Sequence, residues 1–220
     1  SINCFLAAAI STTNTLAELC EELDADWSEI VPTLRLDRRI GQYAYLTPGL
    51  GLSGGNIERD IATVNRLGKK YRTNIDVSTS WLKNSAYRKN WCLKIVKKFI
   101  LTMNEKPIIG VLGLSYKENT NSTKNSVSIA CLERLKKETI KVYDPVVSPS
   151  IVPYAKSCED VDTCIDKSDI LMIMTPWPEF SKVTVETVKE KMSGTVIIDP
   201  YGCLKHLSLN TKGYKYFSLG

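Results

Sequence analysis

The sequence predicts an all-α helical domain over residues 1–104, followed by an α/β three-layer domain with a mostly parallel sheet over 105–220. Before Lys106, apolar residues recur every three or four positions, the period of one helix face. After it, short continuous apolar runs alternate with helical stretches, as parallel strands buried between helices do. Composition agrees: hydrophobic residues make up 43% and charged residues 24% of 220, enough to bury a core.

In the first domain the spacing predicts a helix over 2–30, with Phe5, Leu6, Ala9, Ile10, Leu16, Leu19, Cys20 and Leu23 on one face. Asp24-Ala25-Asp26-Trp27 reads as a break and a new cap, leading to a short second helix through Val31. Pro32, Pro48 and four glycines between 49 and 55 predict a loop over 32–55. Helices are then expected over Ile57–Tyr71 and Asp76–Met103. Ser1 to Thr33 carry six acidic residues and no basic one, whereas the last helix carries Lys83, Arg88, Lys89, Lys94, Lys97 and Lys98. That opposition is either a solvated face or complementary packing of long helices, within the chain or across a dimer.

In the second domain the runs Pro107–Leu114, Ile140–Asp144, Ile170–Met174 and Thr195–Ile198 read as strands. Helices are expected over 124–138, near 159–167 and near 180–192. Alternation of this kind implies a doubly wound sheet.

Several function classes fall away. The net charge of +5 and pI of about 8.7 stay below the ~9 and clustered basic faces of nucleic-acid binders. No apolar run approaches the ~20 residues that cross a bilayer, and Ser1–Ile10 lacks the basic start of a signal peptide, so a cytoplasmic protein is expected. With one histidine, His206, and seven cysteines without a CxxC pair, neither a metal site nor a disulfide framework is expected. Ser1 opens in mid-pattern, which reads as a piece of a longer chain.

Gly49-Leu50-Gly51-Leu52-Ser53-Gly54 spells GxGxxG, but Pro48 precedes it and no β-branched run leads into it, which disfavours a dinucleotide fingerprint. The loop Ser115–Thr123 could offer backbone N–H groups to a phosphate at the following helix, although it has no glycine. Asp144, ending the second strand, stands where a ribose-binding carboxylate is expected.

Ordered motifs then point further. Asp37-Arg38-Arg39-Ile40-Gly41 is followed by Tyr45-Leu46-Thr47-Pro48-Gly49-Leu50-Gly51-Leu52-Ser53-Gly54-Gly55-Asn56, with Asp60 four residues on. Asn3-Cys4-Phe5-Leu6-Ala7 with Asn14 opens the chain, and Gly113-Leu114-Ser115-Tyr116-Lys117, Tyr143-Asp144-Pro145 and Thr175-Pro176-Trp177 occur in order later. Over nearly its whole length the chain resembles the UDP-glucose/GDP-mannose dehydrogenase family. The resemblance implies a helical dimerisation domain, a Rossmann-like sugar-nucleotide domain and a homodimer through the central helices. It also implies a UDP-sugar or GDP-sugar substrate, and NAD held mainly by a further N-terminal domain.

Family members oxidise the C6 alcohol of a nucleotide sugar twice. A Cys thiolate in the glycine loop captures the aldehyde, and the thiohemiacetal yields the second hydride. Here that position is Asn56, and an amide cannot form the adduct. The resemblance assigns Asp60 and Asn3 to the reacting centre, and Arg39, Tyr45, Gly49, Gly51, Gly54 and Lys117 to the substrate. It places Lys124 where an Arg usually meets NAD, and Asp199-Pro200-Tyr201-Gly202 where Asp-x-Arg-Asn is usual. Cys4 and Cys20 are expected to be structural. Two readings stay open: an NAD-dependent oxidoreductase when joined to its N-terminal domain, inactive alone, or a non-catalytic module that dimerises and binds nucleotide sugars.

Overall fold

The computed structural model describes residues 1–52 and 55–220. They form two compact units, Ser1–Asn90 with Leu219–Gly220, and Trp91–Ser218.

The first unit is helical. Helix α1 spans Ile2–Leu23 and ends on Asp24 in the left-handed conformation. Helix α2, Trp27–Leu36, starts on Asp26, whose carboxylate accepts the Ser28 amide at 2.8 Å. It runs through Pro32, five residues further than the proline led us to expect. Proline removes one backbone donor there, and the flanking turns keep theirs. Helices α3, Asn56–Tyr71, and α4, Asp76–Arg88, pack on α1 and on each other. Ala7, Leu52 and Ile61 form one small core, and Ala17, Cys20 and Trp27 another.

The single apolar face expected of α1 is really two. Ala7, Asn14, Ala17 and Cys20 point inward, while Phe5, Leu16, Leu19 and Leu23 are exposed. The charge opposition resolves partly inside the chain. Arg88 of α4, fully buried, lies 3.5 Å from Glu18 and 3.1 Å from Glu21 of α1.

The second unit opens with α5, Trp91–Ile100, which packs on the α/β layer. The helix expected over Asp76–Met103 thus breaks at 89–90. Its second part rests on the sheet, the Phe99 ring 5.6 Å from that of Phe217. The strands are β1 (Ile108–Leu112), β2 (Thr139–Tyr143), β3 (Lys156–Ser157), β4 (Ile170–Ile173), β5 (Val196–Ile198) and β6 (Lys215–Phe217). They pair in the order β3-β2-β1-β4-β5-β6, all parallel, the order of a doubly wound nucleotide-binding fold. Ile109 faces Ile140 on one side and Ile170 on the other, so the central strand is buried on both edges and both faces.

Three short helices, α6 (Val127–Glu133), α7 (Val161–Ile165) and α8 (Val185–Lys191), cover the sheet. Ser126, Asp160 and Thr184 cap them, each accepting the amide three residues on. Leu112, Ile165, Leu171, Ile173, Phe180 and Ile197 lie at the heart of the main core.

Candidate functional site

In the helical unit, the segment from Tyr45 to Leu52 is strapped down by side chains remote in sequence. Thr13 Oγ1 donates to the Tyr45 carbonyl at 2.8 Å, and Trp27 Nε1 to the Leu46 carbonyl at 2.7 Å. Asn14 Oδ1 accepts the Gly49 amide at 2.8 Å, and Ser85 Oγ accepts the Leu52 amide at 2.9 Å. Gly51, at φ +83°, lies so close to α4 that a Cβ would come within 2.6 Å of the Ser85 carbonyl oxygen. Nothing in the local sequence around Ser85 announces this clamp. Glu58 completes it, accepting from Ser85 Oγ at 2.8 Å and from Lys89 Nζ at 2.5 Å.

Asn3 and Asp60 come together, and Asn56 lies one helical turn before Asp60. Asn56 is the first residue of α3 and is exposed. Asp60 stands one turn later on the same face. Asn3 reaches over from α1, its Nδ2 donating to Asp60 Oδ2 at 2.6 Å. That hydrogen bond holds the Asp60 carboxyl below the usual carboxylate range, aided by Arg59 at 3.4 Å and opposed by desolvation. The result is an ionised carboxylate held by one primary amide, with the exposed Asn56 amide one turn earlier on the same helix.

Tyr45 is exposed, and Gly49 and Gly51 are partly so. Gly54 lies outside the described residues. Arg39 is separate from this group: it reaches back two residues, Nη2 to Asp37 Oδ2 at 2.6 Å and Nε to Oδ1 at 3.0 Å, with its side chain 89% exposed.

In the α/β unit, Lys117 and Lys124 both stand exposed on the loop after β1. Lys117 Nζ lies 5.7 Å from the centre of the Tyr116 ring. Beside this loop runs a cleft of about 460 Å³ lined by Asn119, Thr120, Asn121, Val146 and Trp177. It sits at the carboxyl ends of the strands, where doubly wound sheets take their ligands.

Asp144 does not serve as the ribose acceptor expected of its position. It is 6% exposed and already occupied. Its Oδ2 accepts the Leu114 and Ser115 amides at 2.6 and 3.1 Å and the Trp177 indole N–H at 3.4 Å. Its Oδ1 accepts the Val146 and Val147 amides at 3.0 and 2.8 Å. A carboxylate so engaged has no lone pair left for a sugar hydroxyl; it pins three loops together. Asp199 is likewise inward, Oδ2 accepting from the Leu204 amide at 2.7 Å and the Tyr216 hydroxyl at 2.8 Å. Burial pushes its carboxyl up.

Neither unit carries the dinucleotide fingerprint among the described residues. The GxGxxG segment connects α2 to α3 with no strand before it among the described residues, and the β1 loop offers neither its glycines nor a free carboxylate on β2. Among the described residues, no group of three or more His, Cys, Asp or Glu is placed to hold a metal ion, and no helix is long and apolar enough to cross a membrane.

Two family models match the chain. The UDP-glucose/GDP-mannose dehydrogenase central domain matches residues 1–85, and that family's UDP-binding domain matches 110–206. The chain belongs to the UDP-glucose/GDP-mannose dehydrogenase family. It is 27% identical over 226 residues to UDP-glucose 6-dehydrogenase TuaD of Bacillus subtilis (strain 168), covering 99% of this chain and 48% of that protein. With UDP-glucose 6-dehydrogenase of Rickettsia conorii identity is also 27%, over 99% of this chain and 52% of the relative. The chain therefore spans about half the length of the curated relatives it matches.

Solved structures give the same fold. UDP-D-ManNAc dehydrogenase of Pyrococcus horikoshii superposes with TM-score 0.80 at 22% identity, over 99% of this chain and 49% of that one. NDP-N-acetyl-D-galactosaminuronic acid dehydrogenase of Methanosarcina mazei gives 0.83 at 18%, over 99% and 48%. The helical part and the parallel α/β part of this family member thus have the architecture expected from sequence.

Proposed function

We propose that this chain is the central and sugar-nucleotide-binding part of an NAD-dependent nucleotide-sugar 6-dehydrogenase homologue whose second oxidation is impaired. In this reading a UDP-sugar or GDP-sugar is the substrate, and NAD is held mainly by a dinucleotide-binding domain acting with these two units. Asn3, Asn56 and Asp60 flank the reacting carbon, with Tyr45, Gly49, Gly51, Gly54, Arg39 and Lys117 on the substrate and Lys124 toward NAD. Family membership and the Asn3–Asp60 pair support it.

One observation carries the reading: Asn56, which the motif resemblance aligns with the family's Cys, is exposed one helical turn before Asp60. Asp60, kept ionised by Asn3, can orient water or accept a proton. Asn56 has no thiolate to capture an aldehyde, so the alcohol-to-aldehyde step is separated from the step to the acid.

The test joins the chain to the dinucleotide-binding domain of a relative and measures NADH formed per UDP-sugar consumed. One or less is expected, with aldehyde recovered, and N56C should raise the ratio toward two. A steady ratio of two from the unsubstituted protein overturns the proposal.

The exposed apolar side of α1 favours a second reading, a non-catalytic module that dimerises and binds nucleotide sugars. Calorimetry with UDP, UDP-glucose and GDP-mannose tests it; binding with no turnover in the joined protein supports the module, and no binding to any of them removes it.

A further inference from the structure

Two cysteine sulfurs lie on the β1–β2–β3 side of the sheet. Cys158 directly follows β3, its amide donating to the Val142 carbonyl at 2.9 Å and its Sγ lying 4.0 Å from the Lys156 carbonyl oxygen. Cys164 rides on α7, its Sγ 3.5 Å from the Val111 and 3.7 Å from the Lys141 carbonyl oxygen. Lys141 and Lys156 are register partners in the β2–β3 pair. Neighbouring strands lie about 4.8 Å apart, so sulfurs resting on these two carbonyls are within reach of each other. The two thiols do hydrogen-bond, and both are free.

We propose that Cys158 and Cys164 form a redox-sensitive dithiol that a hydroperoxide closes, reversibly, into an intrachain disulfide. The roles are set by the surroundings. The hydrogen bond from Cys164 draws the Cys158 thiol down, helped by the charges of Lys141 and Lys156 against the pull of burial. Cys164 moves the other way, raised by the same contact and by desolvation. Cys158 is therefore the attacking sulfur and Cys164 the resolving one. At Cys131 burial outweighs the opposing charges of Arg134 and Lys97, and at Cys203 it dominates, pushing both thiols up to about 12.

The chemistry closes without a cofactor. Cys158 releases its proton and its thiolate attacks the hydroxyl oxygen of the hydroperoxide; the O–O bond breaks, and the departing alkoxide or hydroxide takes up the released proton, leaving a sulfenic acid on Cys158. Cys164 sulfur then attacks Cys158 sulfur; hydroxide leaves and takes the Cys164 proton as water. Two thiols are oxidised and one hydroperoxide is reduced to an alcohol, or water, plus water. The bond ties the exit of edge strand β3 to α7, and a dithiol reductant reopens it.

The test treats the 220-residue chain with a small excess of hydrogen peroxide, alkylates it in denaturant and digests it with trypsin. Lys156 and Lys167 bracket a peptide, residues 157–167, that holds both cysteines and no internal Lys or Arg. It should appear unalkylated and lighter by two hydrogens, and doubly alkylated when dithiothreitol precedes alkylation. C158S should leave Cys164 fully alkylated after peroxide, and C164A should stop Cys158 at a sulfenic acid that dimedone traps. Should C164A fail to fold, the unsubstituted peptide still decides. Recovery of 157–167 with both thiols alkylated, at a dose that oxidises the partly exposed Cys4 and Cys203, overturns the proposal. A Cys158 disulfide to any other cysteine overturns it as well.

Discussion

Gly41 and Gly51 share a backbone conformation, φ +85° and +83°, and differ in their surroundings. An added Cβ at Gly41 meets nothing within 4 Å, whereas at Gly51 it meets the Ser85 carbonyl oxygen at 2.6 Å and Oγ at 2.8 Å. Gly41→Ala should therefore lower stability by about 1–2 kcal/mol, the left-handed penalty alone. Gly51→Ala should lose a further ~1–3 kcal/mol, because the Leu52–Ser85 clamp must open. Urea unfolding of both variants measures the difference; equal losses would mean that the strap is not pressed against α4. Asp60 allows a second test. Its folded pKa is depressed, so the stabilisation it brings is present above the unfolded carboxylate range and is lost as pH falls through the folded value. Asn3→Ala should raise the Asp60 midpoint toward the ordinary value, read by carboxyl-carbon NMR; an unmoved midpoint would remove Asn3 as its partner. The glycine strap was legible in the sequence through its motif. The residues that hold it were not, because Asn14 and Ser85 act across separations of 35 and 33 residues.

Among the elements, the four inner strands were legible because a buried parallel strand must be a continuous apolar run. Edge strands β3 and β6 were not. Lys156–Ser157 is exposed and polar, and Lys215–Phe217 only half-buried, so neither carries that signal. Helix ends were missed where capping or packing overrode period: α6 stops at Glu133, short of residue 138, and α8 begins at Val185, after Thr184 caps it. The pairing of α1 with α4 shows the same limit. Six acidic residues facing a basic stretch announced complementarity, but only the structure selects Arg88, buried with Nε and Nη1 lacking hydrogen bonds, as the residue placed between two glutamates. A buried guanidinium has lost its hydration, and its carboxylate partners offset that cost. Arg88→Ala strands Glu18 and Glu21 over a cavity and should destabilise the protein by about 3–5 kcal/mol. Arg88→Met restores volume and should recover part of that loss in thermal unfolding. If both variants unfold like the parent, the ion pairs contribute nothing.

At the scale of the whole molecule the open question is what covers α1. Ile2, Phe5, Leu16, Leu19 and Leu23 are 75%, 79%, 41%, 53% and 68% exposed, and with Ala9 and Thr12 between them they follow alternating three- and four-residue steps. That spacing makes a continuous seam along a helix about 33 Å long, the geometry by which two helices interlock. Water against five large apolar side chains is unfavourable by roughly 25 cal/mol per Å², so a second copy presenting the same stripe is the occupant most consistent with the proposed homodimer. A self-complementary contact repeats each residue about one axis, so a single charge on the seam is introduced twice and repels itself. Leu19→Arg should accordingly convert a dimer to a 24.6 kDa monomer in light scattering, with the circular dichroism of the helices retained. Val77→Arg, at a position of α4 that is 63% exposed, should leave the dimer intact. A parent chain that is monomeric at tens of micromolar, or a Leu19→Arg chain that stays dimeric, would place the dimer contact elsewhere and leave the α1 stripe to another partner.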